Sequence, residues 1–308
     1  MEFIRNLSQL RPLHMGCVAT IGNFDGVHLG HQIVLQQLAA KARELQLPTV
    51  VIIFEPQPQE FFAPNTAPAR LTRLREKLLA MRRYGVDRVL CLRFNTQLAA
   101  LSAQAFIQQV LVNGLGVRHL VVGDDFRFGQ KRAGNFATLL EAGKQSGFSV
   151  ESQKTFILGN QRVSSTRIRK ALMQGDMQGA NALLGRPYTL SGRIRYGQQR
   201  GRSIGFPTAN IFLHRQVSPI SGVFAVKLHG ITAKPLAGVA NLGTRPTVDG
   251  SQLLLEVHLF DFNKTIYGDY AEVEFVGKIR NEQRFSSIEV LKQQIESDVE
   301  SAKAILFF

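Results

Sequence analysis

The sequence is poor in cysteine, with only Cys17 and Cys91 among its 308 residues. Two cysteines cannot build a disulfide framework or a cysteine-based zinc site, so a reducing cytoplasm is the simplest compartment. The sequence also lacks an apolar run near the ~20 residues of a transmembrane helix, and its first residues lack the apolar core of a secretory signal. We therefore expect a cytoplasmic protein without a membrane partner.

Acidic residues are outnumbered, since 37 Lys and Arg stand against 23 Asp and Glu and give a net charge of +14. Such an excess favours polyanionic partners, either nucleic acids or phosphorylated small molecules. The basic residues form no tail or continuous run of the kind found in nucleic-acid-binding arms, so charge alone supports a nucleic-acid role weakly. The hydrophobic fraction of 44% is enough for packed cores and too high for a disordered chain.

The first part of the chain alternates short β-branched runs with longer amphipathic runs. The strand-like runs are CVATIG, TVVIIFE, RVLCLRF and HLVVGDDF, and the helix-like runs are QIVLQQLAAKARELQ, RLTRLREKLLAMRRYG, SAQAFIQQVLVNGLG and NFATLLEAGKQSG. This alternation predicts a Rossmann-like, doubly wound parallel sheet. Two further short helices are predicted in SSTRIRKALMQG and MQGANALLG.

After residue 185 the pattern changes to short strands separated by turns that contain Gly, Pro and Asn. The predicted strands are TLSGRIRYG, GVFAVKLHG, LAGVANLG, LLLEVHLFDF and YAEVEFVGKIR. Such a pattern is typical of an antiparallel barrel or sandwich. The last stretch predicts a helix capped by Ser286 or Ser287. We therefore predict two domains, residues 1–185 and residues 186–308, and favour a barrel for the second.

A glycine-rich turn with two histidines, GNFDGVHLGH, follows the first predicted strand and opens the first predicted helix. In an open parallel sheet ligands bind beyond the carboxyl ends of the strands, and a helix N-terminus favours a phosphate. His28 and His31 are three residues apart, so both lie on one side of the helix start and can donate to phosphate oxygens. A single histidine there is more often a cap, and the pair favours the functional interpretation.

Three other stretches of the first part carry polar or aromatic groups near predicted strand or helix ends. SSTRIR, residues 164–169, places hydroxyls at a helix start and guanidinium groups after them, which suits a triphosphate. The alternative is an ordinary cap with solvated arginines. FEPQP and GDDFRFG follow the second and fourth predicted strands, at the edge where ligands bind. We expect Phe126 and Phe128 of GDDFRFG to lie in the core rather than to stack on a ligand.

The second part contains GRGRSIGFPTANI and LLLEVHLFDF. Thr208 and Asn210 are two residues apart, so on a strand they point to the same face, and their side-chain oxygens suit Mg²⁺ together with substrate phosphates. The glycines of the first stretch do not form a Walker A loop but are compatible with a flap over phosphates. Glu256 is a carboxylate in an apolar strand, a candidate proton acceptor. The alternatives are a Thr/Asn turn and an outward-facing glutamate.

The ordered set GNFDGVHLGH, FEPQP, GDDFRFG, SSTRIR, GRSIGFPTAN, GVANLGTRPTV and LEVHLFDF resembles the prokaryotic bifunctional riboflavin kinase/FAD synthetase family over nearly the whole chain. The first of these stretches is similar to the HxGH signature of class I nucleotidyltransferases. The resemblance implies that the first domain transfers the adenylyl group of ATP to FMN, giving FAD and pyrophosphate. It implies that the second domain phosphorylates riboflavin with ATP to give FMN.

The resemblance also implies functional residues. In the first domain it implies catalytic roles for His28 and His31 within a nucleotide-binding set: Gly22, Asn23, Phe24, Asp25, His28, His31, Ser164, Ser165, Thr166, Arg167 and Arg169. For the flavin it implies Pro56, Pro58 and Asp125, although Gln57 and Asp125 stand where family members often carry His and Asn. In the kinase it implies ATP binding by Gly201, Gly205, Thr208 and Asn210, Mg²⁺ on Thr208 and Asn210, and catalysis by Glu256.

Two other functions compete with this interpretation. A nucleotidyltransferase acting on nicotinamide or pantetheine nucleotides would explain the histidine turn but would leave residues 186–308 without a task. An RNA-binding relative of tRNA synthetases would explain the charge, but no KMSKS-like loop is apparent. We expect riboflavin, FMN, FAD, ATP and Mg²⁺ as ligands, and no nucleic acid, membrane or obligate protein partner.

Overall fold

The structure, a computed structural model, describes residues 1–196, 205–215, 217–247 and 250–307. Contacts divide the chain into two compact units, Met1–Pro68 with Thr72–Ser164, and Ala69–Leu71 with Ser165–Phe308. The short stretch Ala69–Leu71 groups with the second unit, where Arg169 Nε donates to the carbonyl of Ala69 at 2.6 Å and Arg215 Nη1 donates to that of Arg70 at 2.7 Å. The division at residue 185 stays a prediction.

The first unit is an α/β domain. Its strands are β1 (Glu2–Arg5), β2 (Cys17–Ile21), β3 (Thr49–Glu55), β4 (Arg88–Arg93), β5 (Val117–Gly123), β6 (Ser149–Gln153) and the hairpin β7 (Ile157–Leu158) and β8 (Gln161–Arg162). Its helices are α1 (Leu29–Leu45), α2 (Pro58–Phe62), α3 (Leu74–Arg83), α4 (Thr96–Ala99), α5 (Ala103–Phe106) and α6 (Phe136–Ser146). Strands β1 to β6 form a parallel sheet in the order β1-β4-β3-β2-β5-β6.

Alternate residues of the central strands pack against helices on opposite faces of this sheet, because successive side chains of a strand point to opposite sides. Val18 belongs to one core with Leu35 and Leu38 of α1. Its neighbour Ala19 belongs to the other core, with Leu139 of α6. Helices therefore cover both faces, and the predicted doubly wound parallel sheet is confirmed.

Some local predictions differ from the structure. The helix predicted from residue 70 begins only at Leu74, after a backbone segment held by polar contacts. The long helix predicted from residue 102 is α5 followed by a π-helical segment, Ile107–Val112. Strands β1 and β6 lie at the two edges of the sheet and were not predicted, because their short sequences EFIR and SVESQ contain few of the β-branched residues that reveal β2 to β5.

The second unit contains a closed barrel. Its strands are β9 (Thr189–Arg195), β10 (Thr208–Phe212), β11 (Gly222–His229), β12 (Leu236–Thr247), β13 (Gly250–Leu259) and β14 (Tyr270–Arg280). They close in the order β10-β13-β12-β11-β14-β9, with antiparallel pairing throughout. The helices are α7 (Ser165–Gln174), α8 (Met177–Leu184) and α9 (Ile288–Phe307). The predicted barrel and terminal helix are confirmed.

Inward-facing side chains fill the barrel, and helix α9 covers part of its outer surface. The inner residues include Ile211, Leu255 and Phe275, all fully buried. On the outside, Val223 and Val239 pack with Ala302 of α9. Ser287 caps this helix by accepting from the backbone N–H of Val290 at 3.3 Å, as predicted. In the described part of the chain, none of the helices combines the length and apolarity required to cross a membrane.

Candidate active sites

The histidine turn joins strand β2 to helix α1, and His28 is the N-cap of that helix. Its Nδ1 accepts from the backbone N–H of His31 at 3.4 Å. The two imidazole rings are stacked, with centroids 3.6 Å apart and planes 17° apart. Because Nδ1 is an acceptor, a neutral His28 carries its proton on Nε2. The capping interpretation is therefore confirmed for Nδ1.

The backbone of this turn is unusual. Phe24 has φ 48° and the β-branched Val27 has φ 43°, and Gly26 lies between them with φ 85°. Positive φ is costly for bulky residues and is retained where the surroundings enforce it. Both side chains are anchored in the core, Phe24 at 3% and Val27 at 0% exposure. The Phe24 side chain is buried and its ring centroid lies 4.9 Å from that of His31. Its predicted role in nucleotide binding stays a prediction.

Thr72 braces the turn, and sequence reasoning did not identify it. Its backbone N–H donates to Asp25 Oδ1 at 3.0 Å and its hydroxyl lies 3.3 Å from the same oxygen. The hydroxyl oxygen also accepts from the backbone N–H of Gly26 at 2.9 Å. Asp25 is 3% exposed, so its carboxylate is used within the protein as a positioning group. No local sequence signal marks Thr72, because the contact spans 47 residues.

Two glycines of the turn lie so close to aromatic rings that a larger side chain would not fit without a shift. A Cβ atom at Gly30 would lie 3.3 Å from the ring of His28, and one at Gly22 would lie 3.2 Å from the ring of Phe24. Both distances are tighter than ordinary carbon contacts, so larger residues would displace the aromatic rings. Asn23 lies between Gly22 and Phe24 at the carboxyl end of β2 and is partly exposed.

FEPQP lies at the end of β3, and its last two residues enter helix α2. The peptide bond between Glu55 and Pro56 is cis. Gln57 is the N-cap of α2, and its backbone N–H donates to Glu60 Oε2 at 2.8 Å. Pro58 is the first residue of the helix. Pro56 and Pro58 therefore shape a tight strand-to-helix connection at the carboxyl edge of the sheet.

GDDFRFG follows β5 at the same edge. Asp125 Oδ2 lies 2.5 Å from Nη1 of Arg162 on β8, and both side chains are about half exposed. The hydrogen bond from Arg162 lowers the pKa of Asp125 from its ordinary value. Phe128 is 7% exposed in the core and Phe126 packs against that core, so the prediction that these rings are core residues is confirmed.

SSTRIR is divided between the two units, with Ser164 at the end of the first and the other five residues in the second. Helix α7 begins at Ser165, so the predicted helix start is confirmed. Thr166 is exposed, and Ser165 and Arg167 are partly exposed. Arg169 is also partly exposed, and its Nε donates to the carbonyl of Ala69 at 2.6 Å.

In the barrel, Thr208 and Asn210 share the outer face of β10 with Glu256 of β13. The register places Asn210 directly opposite Glu256 and Thr208 opposite His258. Residues 253, 255, 257 and 259 point inward, whereas Leu254, Glu256 and His258 are partly exposed on the outside. Glu256 therefore faces outward, as the alternative interpretation had it, and this is the face that carries the predicted metal ligands.

His258 is a further residue of this face that the sequence analysis did not assign. Its Nδ1 donates to the carbonyl of Pro207 at 2.9 Å, and its ring meets that of Phe206 edge-on with centroids 5.2 Å apart. The imidazole thus fastens the start of β10 to β13. The sequence could have indicated this position, because His258 is two residues from Glu256 and residues with that spacing on a strand share a face.

Two glycines were predicted to form a flap beside this face. Gly205 has φ 93°, and a Cβ atom there would meet nothing within 4 Å, so its conformation rather than crowding requires glycine. Gly201 lies outside the described residues, and its predicted role stays a prediction.

The donors on this face were tested for their fit to Mg²⁺. Asn210 Nδ2 lies 3.4 Å from the carbonyl of Thr208, and the other amide atom, Oδ1, has the chemistry of a metal ligand. Thr208 Oγ1 and Asn210 Oδ1 are both hard, uncharged donors. Such donors fit Mg²⁺ as part of a shell that phosphate oxygens and waters complete. Within the described ranges, no group of three or more His, Cys, Asp or Glu residues could hold a metal.

Comparisons with known proteins cover both units. The FAD synthetase family model matches residues 10–167, and the riboflavin kinase family model matches residues 184–306. A solved structure described as a macrolide-efflux protein from Streptococcus pneumoniae has a TM-score of 0.82 and 30% identity, over 98% of this chain and 99% of that one.

Curated relatives match along the whole length. A bifunctional riboflavin kinase/FMN adenylyltransferase of Haemophilus influenzae is 54% identical over 99% of both chains. The protein of the same description from Escherichia coli K12 is 53% identical over 98% of this chain and 97% of its own, and that of Pseudomonas fluorescens is 51% identical over 99% and 98%. With these identities, and with both matching domains in the expected order, this chain belongs to the bifunctional riboflavin kinase/FMN adenylyltransferase family.

Proposed function

We propose that the two activities of this family are divided between the two described sites. The barrel phosphorylates riboflavin to FMN with ATP, and the α/β unit transfers the adenylyl group of a second ATP to FMN, giving FAD and pyrophosphate. The observation that carries the proposal is the barrel register. It sets the Glu256 carboxylate directly opposite the Asn210 carboxamide on the outer face of the barrel.

The adenylyl transfer needs charge neutralisation rather than a base. The FMN phosphate is already ionised near neutral pH, so its oxygen attacks the α-phosphorus of ATP without first losing a proton, and the bond to the pyrophosphate oxygen breaks. The difficulty is that an anion approaches a polyanion. Donors held in place before the reaction lower this barrier most, because they need no rearrangement as charge develops.

The histidine turn supplies such donors. The bond from the His31 N–H to His28 Nδ1 orients the His28 ring. We assign its Nε2–H as a donor to a phosphate oxygen of the bound nucleotide. The stack of the two rings holds His31 in a matching orientation. We assign the hydroxyls of Ser164, Ser165 and Thr166 and the guanidinium of Arg167 to the triphosphate, which suits their chemistry. Arg169 also carries a backbone contact and contributes through its position in α7.

The kinase reaction differs because its nucleophile is a neutral alcohol. The ribityl 5′-hydroxyl must lose its proton as it attacks the γ-phosphorus of ATP, and a placed carboxylate can accept that proton. The bond from the γ-phosphorus to the β-phosphate oxygen breaks, and ADP leaves. Glu256 takes this role. Thr208 Oγ1 and Asn210 Oδ1 would hold Mg²⁺, which when bound neutralises phosphate charge and orients the nucleotide.

We assign the flavin contacts of the first site to the segments that follow the carboxyl ends of β3 and β5. Pro56 and Pro58 supply a rigid apolar wall, and Asp125 a polar group at the rim. The cytoplasmic location and the absence of nucleic-acid, membrane or obligate protein partners stay predictions.

The test is a pair of assays on one preparation of Glu256→Gln. With riboflavin, ATP and Mg²⁺, we expect kcat for FMN formation to fall about 10²–10⁴-fold, because glutamine keeps the size and polarity but removes the proton acceptor. FAD formation from supplied FMN should equal that of the unmodified protein, and riboflavin and ATP should still bind. A kcat equal to that of the unmodified protein in the first assay would refute Glu256 as the base and point to solvent or Asp261.

A further inference from the structure

Glu256 has a second neighbour on the outer face of the barrel. Strand β13 lies between β10 and β12, and the register places Asn210 on one side of Glu256 and Asn241 on the other. Directly opposite residues of an antiparallel pair point to the same face, with Cβ atoms about 4.5–5.5 Å apart. The carboxylate is therefore flanked by two carboxamides on the same face.

The two asparagines differ in what surrounds them. Asn210 lies 8% exposed, and its Nδ2 is near the carbonyl of Thr208 on its own strand. Asn241 lies between Glu256 on one side and Val223 on the other. Val223 is 4% exposed and packs under α9. The polar neighbour directly across from the Asn241 amide is consequently Glu256, because the opposite side of Asn241 is apolar.

We infer that Asn241 is a positioning residue for the kinase reaction, donating from its carboxamide to the Glu256 carboxylate and so orienting the proton acceptor. This inference rests on the proposed role of Glu256. Asn210 and Asn241 then have separate tasks, Asn210 serving the metal and Asn241 the base. A carboxylate that accepts a hydrogen bond from a neighbouring amide loses rotational freedom, so it is already oriented when the alcohol attacks.

Several charged or titratable groups lie near Glu256, and they favour an uncharged side chain at position 241. His258 lies two residues along β13 and donates its Nδ1–H to the backbone. Arg195 lies beyond Asn210 on β9, with its guanidinium carbon 4.4 Å from the ring centroid of Phe212. The Glu282 carboxylate lies where a Cβ atom of Gly243, two residues from Asn241, would be. The Arg280–Asp298 pair joins β14 to α9. A carboxylate at 241 would therefore add a like charge beside both Glu256 and Glu282.

Two substitutions test the inference, with FMN formation from riboflavin as the measurement. Asn241→Val removes the donor, and Asn241→Thr has nearly the same shape as the valine variant but keeps a donor. We expect Asn241→Val to lower kcat about 10–100-fold with KM values changed less than about twofold, and Asn241→Thr to recover most of that loss.

The same preparations contain their own controls. FAD formation from supplied FMN should be unchanged in both variants, which checks that each is folded. Equal kcat for the Val and Thr variants, or a rise in KM without a fall in kcat, would overturn the inference.

A double-mutant cycle separates this inference from the proposed function. In a Glu256→Gln background, Asn241→Val should cause little further loss, because the group that it orients is gone. Losses that multiply would overturn the inference and leave Glu256 as the base. An active Glu256→Gln enzyme would instead refute the proposed base itself.

Discussion

Thr72 lies 47 residues beyond Asp25 in the sequence, yet its N–H and its hydroxyl both reach one carboxylate oxygen of that residue. Through the Gly26 N–H the same hydroxyl also holds the next residue of the turn. The histidine turn is thus positioned by a residue that a motif search does not find.

We predict that Thr72→Val loosens the turn and lowers FAD formation from FMN about tenfold or more, because small displacements of positioned donors are costly. The change also leaves the buried Gly26 N–H without its acceptor, at a cost of about 1–3 kcal/mol in stability. Steady-state assays and thermal unfolding measure the two effects. Thr72→Ser, which keeps the hydroxyl, is the matched control, and equal losses in both variants would contradict the brace.

The two functions assigned to His28 can be separated by His28→Asn. Asparagine is a good N-cap, so it keeps an acceptor for the His31 N–H but removes the Nε2–H donor. We expect unchanged thermal stability and a fall of about 10²–10³ in the rate of FAD formation, the usual cost of one charge-stabilising donor. Kinase activity should stay near normal. If the Asn variant kept full FAD formation while His28→Ala lost it, His28 would be a cap only.

Several side chains of helix α8 are buried, so a fragment of the barrel unit should be more stable when it includes this helix. Met177, Ala180, Leu183 and Leu184 are all less than 5% exposed, and Asn181 Oδ1 accepts from the Tyr188 N–H at 2.7 Å. We expect fragments 165–308 and 186–308 both to phosphorylate riboflavin, and the longer one to be more stable by several kcal/mol, since each buried side chain of this size contributes about 1.5–3 kcal/mol. Urea unfolding compares them. Equal midpoints would show that the helices add nothing to the barrel.

The Asp125–Arg162 pair predicts a small dependence of stability on pH. The pKa of Asp125 is lowered in the folded protein, chiefly by the Arg162 hydrogen bond. The pair therefore stabilises the fold above the ordinary pKa of 3.8, and this contribution disappears as pH falls through the lowered value. Unfolding of the unmodified protein and Asp125→Asn should differ slightly at pH 7, less in high salt because the pair is exposed, and not at all near pH 2. A difference that grew in acid would reverse the sign and refute this origin.

Sequence patterns were sufficient to predict the features that depend on residues close together in the chain. The β-branched runs of β2 to β5 and the amphipathic periods of α1 and α6 predicted the parallel sheet, because each face buries its own set of side chains. Ser287 and Ser165 were predictable as helix starts for the same local reason. The spacing of two residues between Thr208 and Asn210 likewise predicted that they share a face.

What could not be predicted depends on pairing between distant strands. Strand β9 pairs with β14, and Asn241 lies opposite Glu256. The sequence of one strand does not show which strand it pairs with or in which register. The outward direction of Glu256 is decided by which alternate residues fill the barrel, and both sets in LLLEVHLFDF contain leucine. Thr72 lies near the start of the stretch 70–85 that was predicted as helix, and it contacts Asp25 before the helix begins at Leu74.

Strand β1 has a consequence for the order of events during synthesis. Its parallel partner is β4, with Glu2 opposite Arg88, so the ribosome must add 86 residues before this pair can form. At about 5–20 residues per second that interval is roughly 4–17 s. Strand β4 can join β3 as soon as it emerges, and β1 then attaches to the outer side of a sheet already begun. Until it does, the apolar segment Phe3–Ile4 is available to other chains or to a chaperone.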